Sequence, residues 1–203
     1  MHAGVVVAGG RSTRFGDADK AVAELAGTPM VRRVADRLAG PVEELVVNCR
    51  ADQRDAVAAA LADYPLPVTY AIDDAPDEGP LAGIERGLRE TDAERAFVVA
   101  CDVPFVDPAF VRYLFDRAAA RDAAVPKPEA YHEVLHAVYR TDAAASAASR
   151  ALERGERKAI AVLDGLDYAV VTAEEVETHA APGSFENLNT RAAFEAAAER
   201  FDA

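Results

Sequence analysis

Four apolar runs of strand length constrain this chain more than any other feature. They span residues 3–8 (Ala-Gly-Val-Val-Val-Ala), 44–48 (Glu-Leu-Val-Val-Asn), 68–72 (Val-Thr-Tyr-Ala-Ile) and 96–100 (Ala-Phe-Val-Val-Ala). Between them the spacing turns helical. Pro29 suits a first helical turn, Val31, Val34 and Leu38 then share one face, and Gly40-Pro41 stops the helix. Residues 52–61 read as a helix with Val57 and Leu61 inward, Leu81, Ile84 and Leu88 mark a third, and residues 108–120 a fourth. Strands that are apolar along their whole length are buried on both faces. That calls for a mostly parallel sheet between two layers of helices, a three-layer α/β/α, Rossmann-like fold. The second half is less regular. Strands are expected at 134–139 and 168–172 and helices at 143–154 and 190–201, the last capped by Asn189 or Thr190. With no low-complexity linker and no repeat, residues 1–203 read as a single domain.

In such sheets the ligand lies outside the carboxyl ends of the strands. The residues to watch therefore follow each run: 9–20, Asn48, Asp73-Asp74 and Asp102. Residues 8–20 read Ala-Gly-Gly-Arg-Ser-Thr-Arg-Phe-Gly-Asp-Ala-Asp-Lys. Paired glycines let a backbone turn tightly and approach a ligand with no Cβ in the way. Successive N–H groups in such a turn make a concave anion site. Arg11, Arg14 and Lys20 add positive charge, and Ser12 and Thr13 add hydroxyls, so the segment is read as a phosphate cradle. It is neither the G-x-x-x-x-G-K-[ST] loop nor G-x-G-x-x-G. After the fourth strand, Asp102 presents a hard oxygen ligand of the kind Mg²⁺ takes beside substrate phosphates, or alternatively caps the turn before Pro104.

Charge bounds the partners. The 203 residues carry a formal net charge of −13, so bulk electrostatics draws in neither nucleic acid nor an anionic membrane. The lysines are only Lys20, Lys127 and Lys158. An acidic, alanine-rich, lysine-poor surface suits high salt and points to a halophilic cytoplasm. An ordinary acidic protein from a GC-rich genome is the alternative, and unfolding on transfer to low salt separates the two. Cys49 and Cys101 lack C-x-x-C spacing and read as buried small hydrophobes. The N-terminal apolar run is too short for a signal peptide, and no run approaches the ~20 apolar residues of a membrane span, so a cytoplasmic protein is expected.

Val7-Ala8-Gly9-Gly10, Ser12, Arg14, Phe15-Gly16 and Asp19-Lys20 together resemble the L-A-G-G-x-S-x-R-M-G-x-D-K string of the molybdenum cofactor guanylyltransferase family. This chain departs by Val for Leu, Phe for Met and one extra residue before Asp-Lys. Cys101-Asp102-Val103-Pro104-Phe105 resembles the family's C-D-x-P-[FY] metal motif, which implies that Asp102 is the Mg²⁺ ligand. Gly79-Pro80-Leu81-Ala82-Gly83 is similar to the family's G-P-L-A-G, and Asn48 to the last residue of V-V-N. The family's nucleoside-holding aspartate matches Asp74 by offset, with Asp73 the lesser candidate. Phe185-Glu-Asn187-Leu-Asn189-Thr190 resembles F-x-N-x-N-T, which implies that one asparagine contacts the acceptor and the other caps the helix. Arg157 and Lys158 fall in a G-x-R-like run beside the acceptor, and residues 133–140 are loosely similar to a P-L-x-A-L-Y-R strand.

The resemblance implies a nucleotide-diphospho-sugar-transferase type of fold. Residues 1–105 would be its nucleotide-binding half and 106–203 its acceptor-binding half. It implies Arg14, Lys20 and Asp102 as catalytic residues. Val7, Ala8, Gly9, Gly10, Ser12, Arg14, Lys20, Asn48, Asp74, Gly79 and Gly83 would bind nucleotide, and Asn187, Asn189, Arg157 and Lys158 the acceptor. The implied reaction moves GMP from GTP to the phosphate of molybdopterin or molybdenum cofactor with Mg²⁺, and cofactor-delivery proteins would be partners. In the family the Ala-Gly-Gly form goes with guanine. The alternatives are a cobamide-precursor guanylyltransferase, a cytidylyltransferase for the same pterin, and a catalytically silent nucleotide-binding module.

Overall fold

The computed structural model describes residues 1–10, 19–75 and 78–202. Its elements, in chain order, begin with β1 (His2–Val7), a short hairpin of β2 (Glu24–Leu25) and β3 (Thr28–Pro29), and α1 (Met30–Leu38). Then come β4 (Glu44–Cys49), α2 (Arg54–Ala60), β5 (Val68–Ile72), α3 (Pro80–Arg89), β6 (Arg95–Ala100) and α4 (Pro108–Ala118). The second half adds β7 (Ala123–Pro126), β8 (His136–Arg140), α5 (Thr141–Glu153), a 3₁₀ turn (Ala159–Leu163), β9 (Tyr168–Val171), α6 (Ala173–His179) and α7 (Arg191–Asp202).

One seven-stranded sheet carries all of this in the order β5-β4-β1-β6-β8-β7-β9. Only β8 runs antiparallel to its neighbours. Successive residues along each strand face opposite sides of the sheet, and both sides are apolar. Val6, Phe97, Val99 and Val138 pack against α1, α2, α4 and α6 on one side. Val5, Val46, Val98 and Tyr139 pack against α3, α5 and the 3₁₀ turn on the other. This is the expected three-layer arrangement. The sheet also crosses the boundary near residue 105, because β8 from the second half pairs with β6 from the first.

Chain order and spatial order part company at β1. The chain moves outward through β4 to β5, then returns through α3 to lay β6 on the other side of β1. That is the topological switch point at which such sheets open a crevice. The register makes it deep, because Val7 is level with both Asn48 of β4 and Ala100 of β6. The three paired strands therefore end within a residue of one another, and the crevice opens beyond their ends.

Of the two expected caps of α7 one is present, and one strand starts later than expected. The α7 cap is Thr190, whose hydroxyl accepts from the Ala193 N–H at 3.1 Å; neither asparagine caps the helix. The strand expected at 134–139 begins only at His136, after a turn in which His136 N–H donates to the Glu133 carbonyl.

His136 is the one imidazole sealed in this core. It lies edge-on to Phe97 and beside Phe110 and Phe185, and neither ring nitrogen finds a hydrogen-bond partner. Burial lowers its pKa to about 3, against a weak opposing pull from Asp107. The folded state therefore requires the neutral ring. Its contribution is fully present above the unfolded pKa near 6.5 and is lost as pH falls toward the folded value, at about 1.4 kcal/mol per pH unit. We expect His136→Leu to move the acid-unfolding midpoint to lower pH and to remove close to one proton from the uptake on unfolding, as read by titration across the transition.

Candidate active site

The crevice is a cleft of about 420 Å³, lined at its base by Val7, Ala8, Gly9, Gly10 and Asn48 and at its sides by Gly79, Pro80, Asp102, Leu135 and Asn189. Each wall follows from a strand ending. Leaving β1, Ala8 N–H donates to the Asn48 carbonyl at 2.9 Å. Leaving β6, Cys101 N–H donates to the Val7 carbonyl at 3.1 Å. Leaving β5, Asp73 N–H donates to the Cys49 carbonyl at 3.0 Å. The backbone polar groups at the strand ends are thus satisfied by one another, and the side chains beyond them are free to meet a ligand.

At one side of the cleft a buried lysine links two less buried side chains from far apart in sequence. Lys20 Nζ donates to Asp102 Oδ2 at 2.7 Å and to Asn189 Oδ1 at 2.9 Å. Lys20 is 6% exposed. A lysine that deep in a low-dielectric wall is tolerated because it is paired and hydrogen-bonded. No described residue donates to the other Asp102 oxygen, Oδ1. The Asp102 carbonyl accepts the Leu188 N–H at 3.0 Å, which fastens the Asn187–Asn189 segment to the strand end. Asn189 Nδ2 in turn donates to Asn187 Oδ1 at 3.3 Å, and Asn187 itself is exposed.

The second cluster forms around Asn48, which is 1% exposed. Its Nδ2 donates to the Ala71 carbonyl at 3.1 Å and to Asp73 Oδ1 at 2.6 Å, while its Oδ1 has no partner. Gly9 and Gly83 close over it from two sides. A methyl on Gly9 would overlap the Asp73 carboxylate, and a methyl on Gly83 would overlap Asn48 Oδ1. The glycines are therefore needed for close approach.

The structure brings Val7, Ala8, Gly9, Gly10, Lys20, Asn48, Gly79, Asp102 and Asn189 to the cleft wall. Gly83 lies directly behind it. Ser12 and Arg14 fall outside the described residues. Asp74 is not on the wall: its carboxylate is exposed and paired with Arg86 of α3, and Asp73 takes the place against the glycine turn. Side chains alternate across an extended strand, so the residue just past Ile72 continues inward and the next one turns out. Arg157 and Lys158 are exposed and outside the cleft wall, although the Arg157 carbonyl accepts from Leu81 N–H at 3.4 Å behind Gly79. Cys49 and Cys101 are buried free thiols, with burial pushing them up to about 11 and about 12, so neither is a nucleophile. Leu135, from the 133–140 run, is on the wall, and sequence reasoning passed over Arg50 and Gln53. The two polar residues sit in a short turn after β4 that reads as ordinary surface, and only the fold carries them to the glycine turn.

A model of the MobA-like NTP transferase domain matches residues 4–171. A "Probable molybdenum cofactor guanylyltransferase" of Natronomonas pharaonis is 49% identical over 97% of this chain and 96% of its own length. The chain belongs to the MobA-like NTP transferase family. A second relative of the same printed name, from Haloferax mediterranei, is 39% identical over 93% of this chain and 89% of its own. The solved structure of molybdopterin-guanine dinucleotide biosynthesis protein A from Archaeoglobus fulgidus superposes with a TM-score of 0.79 at 27% identity, covering 98% of both chains. As a member of this family the chain is a nucleotidyltransferase, with the α/β sheet of its neighbours. Among the described residues no helix is long and apolar enough to cross a membrane.

Proposed function

We propose that this protein transfers GMP from GTP to the terminal phosphate of molybdopterin or molybdenum cofactor, releasing pyrophosphate. The observation that carries the proposal is Lys20 held between Asp102 and Asn189 at the edge of a cleft floored by the glycine turn. A cation, a carboxylate and the paired glycines meet there, as a reaction joining two anions needs. The relatives' printed names supply guanine and the pterin.

An acceptor phosphate oxygen would attack the α-phosphorus of GTP. One P–O bond forms, the bond to the α–β bridging oxygen breaks, and pyrophosphate leaves. The acceptor is already ionised at neutral pH, so no general base is required. The glycine turn and Lys20, with Arg14 from outside the described residues, would hold the departing pyrophosphate. Gly79, Asn48 and Asp73 would border the nucleoside, with Asp74 at the rim, and Asn187, Asn189, Arg157 and Lys158 would line the approach of the acceptor.

Asp102 fits a Mg²⁺ ion. Asp102 lines the cleft, and its Oδ1 is a hard oxygen with no donor among the described residues. No three His, Cys, Asp or Glu side chains converge among those residues, so a cation here would complete its shell with phosphate and water oxygens, as Mg²⁺ does. When bound, it supplies charge neutralisation between the two phosphates. The decisive experiment is pyrophosphate release in high salt with Mg²⁺, using GTP, CTP or ATP, with and without molybdopterin. Release with GTP only in the presence of the pterin is the expected result. Release with CTP instead would overturn the base assignment and keep the chemistry.

A further inference from the structure

The glycine turn is held from behind by two side chains of the turn that follows β4. Gln53 Nε2 donates to the Ala8 carbonyl at 3.4 Å. Arg50 Nη1 donates to the carbonyls of Gly9 and Gly10, each at 3.4 Å. Three consecutive carbonyls are thus turned to one side. Gln53 is 2% exposed and its Oε1 accepts the Arg50 N–H at 3.0 Å, which fixes the pair relative to each other. The same guanidinium reaches forward as well. Its Nη2 donates to Asp19 Oδ2 at 3.3 Å, one residue before Lys20. Asp52 holds it from the far side, accepting from Nε at 3.0 Å.

In a trans peptide the carbonyl and the following N–H point in opposite directions. Carbonyls of Ala8 and Gly9 drawn back to Gln53 and Arg50 therefore turn the N–H groups of Gly9 and Gly10 toward the cleft that those glycines line. Left alone, a glycine turn samples many orientations, and a concave anion site requires its N–H groups to converge. We infer that Arg50, seated on Gln53 and Asp52, is a positioning residue that aims the N–H groups of the glycine turn at the triphosphate and fixes Asp19, and so the backbone before Lys20, in the same frame. The inference rests on the proposed function in placing a triphosphate at this turn, but not on which base it bears.

The geometry limits what can replace Arg50. One planar guanidinium spans carbonyl oxygens on one edge and carboxylates on others, whereas a lysine ammonium offers a single point. Arg50 does not line the cleft, so its loss should spare the nucleoside subsite. The test is titration of GTP and of guanosine into the wild type, Arg50→Gln and Arg50→Lys, with melting temperatures measured alongside. We expect Arg50→Gln to weaken GTP binding about 10- to 100-fold while guanosine binding stays within about twofold, and Arg50→Lys to recover only part of the loss. Asp19→Asn should show a smaller loss of the same selectivity. Equal weakening of GTP and guanosine, in step with a fall in melting temperature, would reduce Arg50 to a structural role and overturn the inference. So would unchanged GTP binding in Arg50→Gln. If the wild type binds CTP or ATP in place of GTP, the base assignment fails, and the same comparison with that triphosphate and its nucleoside decides on Arg50. If it binds no nucleoside triphosphate, both readings fall together.

Discussion

Replacing Asp102 by Asn should lower kcat/KM for pyrophosphate release by about 10³-fold, and replacing Lys20 by Met by about 10²- to 10³-fold, with the double variant hardly worse than either alone. The lack of additivity follows from the geometry. Lys20 Nζ lies 2.7 Å from Asp102 Oδ2 with only 7% of its side chain exposed, so each charge helps to stabilise the other in a poorly solvated place. Asp102→Asn replaces the carboxylate that holds the ammonium at 2.7 Å with a neutral amide, so the ammonium is held less firmly on the site. Lys20→Met leaves a carboxylate without its counter-charge beside the place where phosphates bind. Either way the pre-set pair is gone, and removing the second member finds little left to lose. Breaking a buried pair also destabilises the fold, on the order of 3 kcal/mol. Activity should therefore be compared below the melting transition of each variant. If the two losses multiplied, Lys20 and Asp102 would be acting on separate steps, and the three-residue chain with Asn189 would have no part in catalysis.

The parts of this site that were legible in the sequence are those set by local chain geometry. Strands buried on both faces must be apolar throughout, so β1, β4 and β6 announced themselves, and the edge strand β5 did so by its β-branched and aromatic run although Thr69 is exposed. Where local rules thin out, so did the reading. β7 is Ala-Ala-Val-Pro, four buried residues too small and too few to stand out, and it acquires strand character only by slotting between β8 and β9. The β2–β3 hairpin depends on positive φ at Ala26 and Gly27, with strands of two residues each. α6 did leave a usable mark. Thr172 and Glu175 form a reciprocal capping box, and the Thr-x-x-Glu spacing alone could have placed the helix start. The choice between Asp73 and Asp74 needed the strand register, since the two differ only in which way they point. Arg50 and Gln53 carried no signal, because a polar turn looks the same in sequence whether it meets water or the carbonyls of Ala8 to Gly10.

Gly83 offers the sharpest separation of packing from function. It lies on α3 against β1 and β4, and a methyl there would overlap Asn48 Oδ1 and come within 2.9 Å of Val7 Cγ1. Neither neighbour gives way without cost. Asn48 is pinned by Ala71 and Asp73, and Val7 is paired on both sides in the sheet. One turn further along the same helix, a methyl on Gly87 would overlap Val5 Cγ1, a comparable intrusion far from the cleft. Both Gly→Ala changes should therefore cost about 1–3 kcal/mol of stability through overpacking, offset in part by the better helix propensity of alanine. Only Gly83→Ala should push Asn48 off Asp73. We expect it to weaken nucleotide binding about 10²-fold, the size of effect that a displacement near 1 Å produces at a positioned site. Gly87→Ala should bind as the wild type does once compared at equal distance from its melting temperature. Equal binding losses in the two variants would mean that the Asn48–Asp73 pair is a strut of the sheet and takes no part in holding the nucleotide.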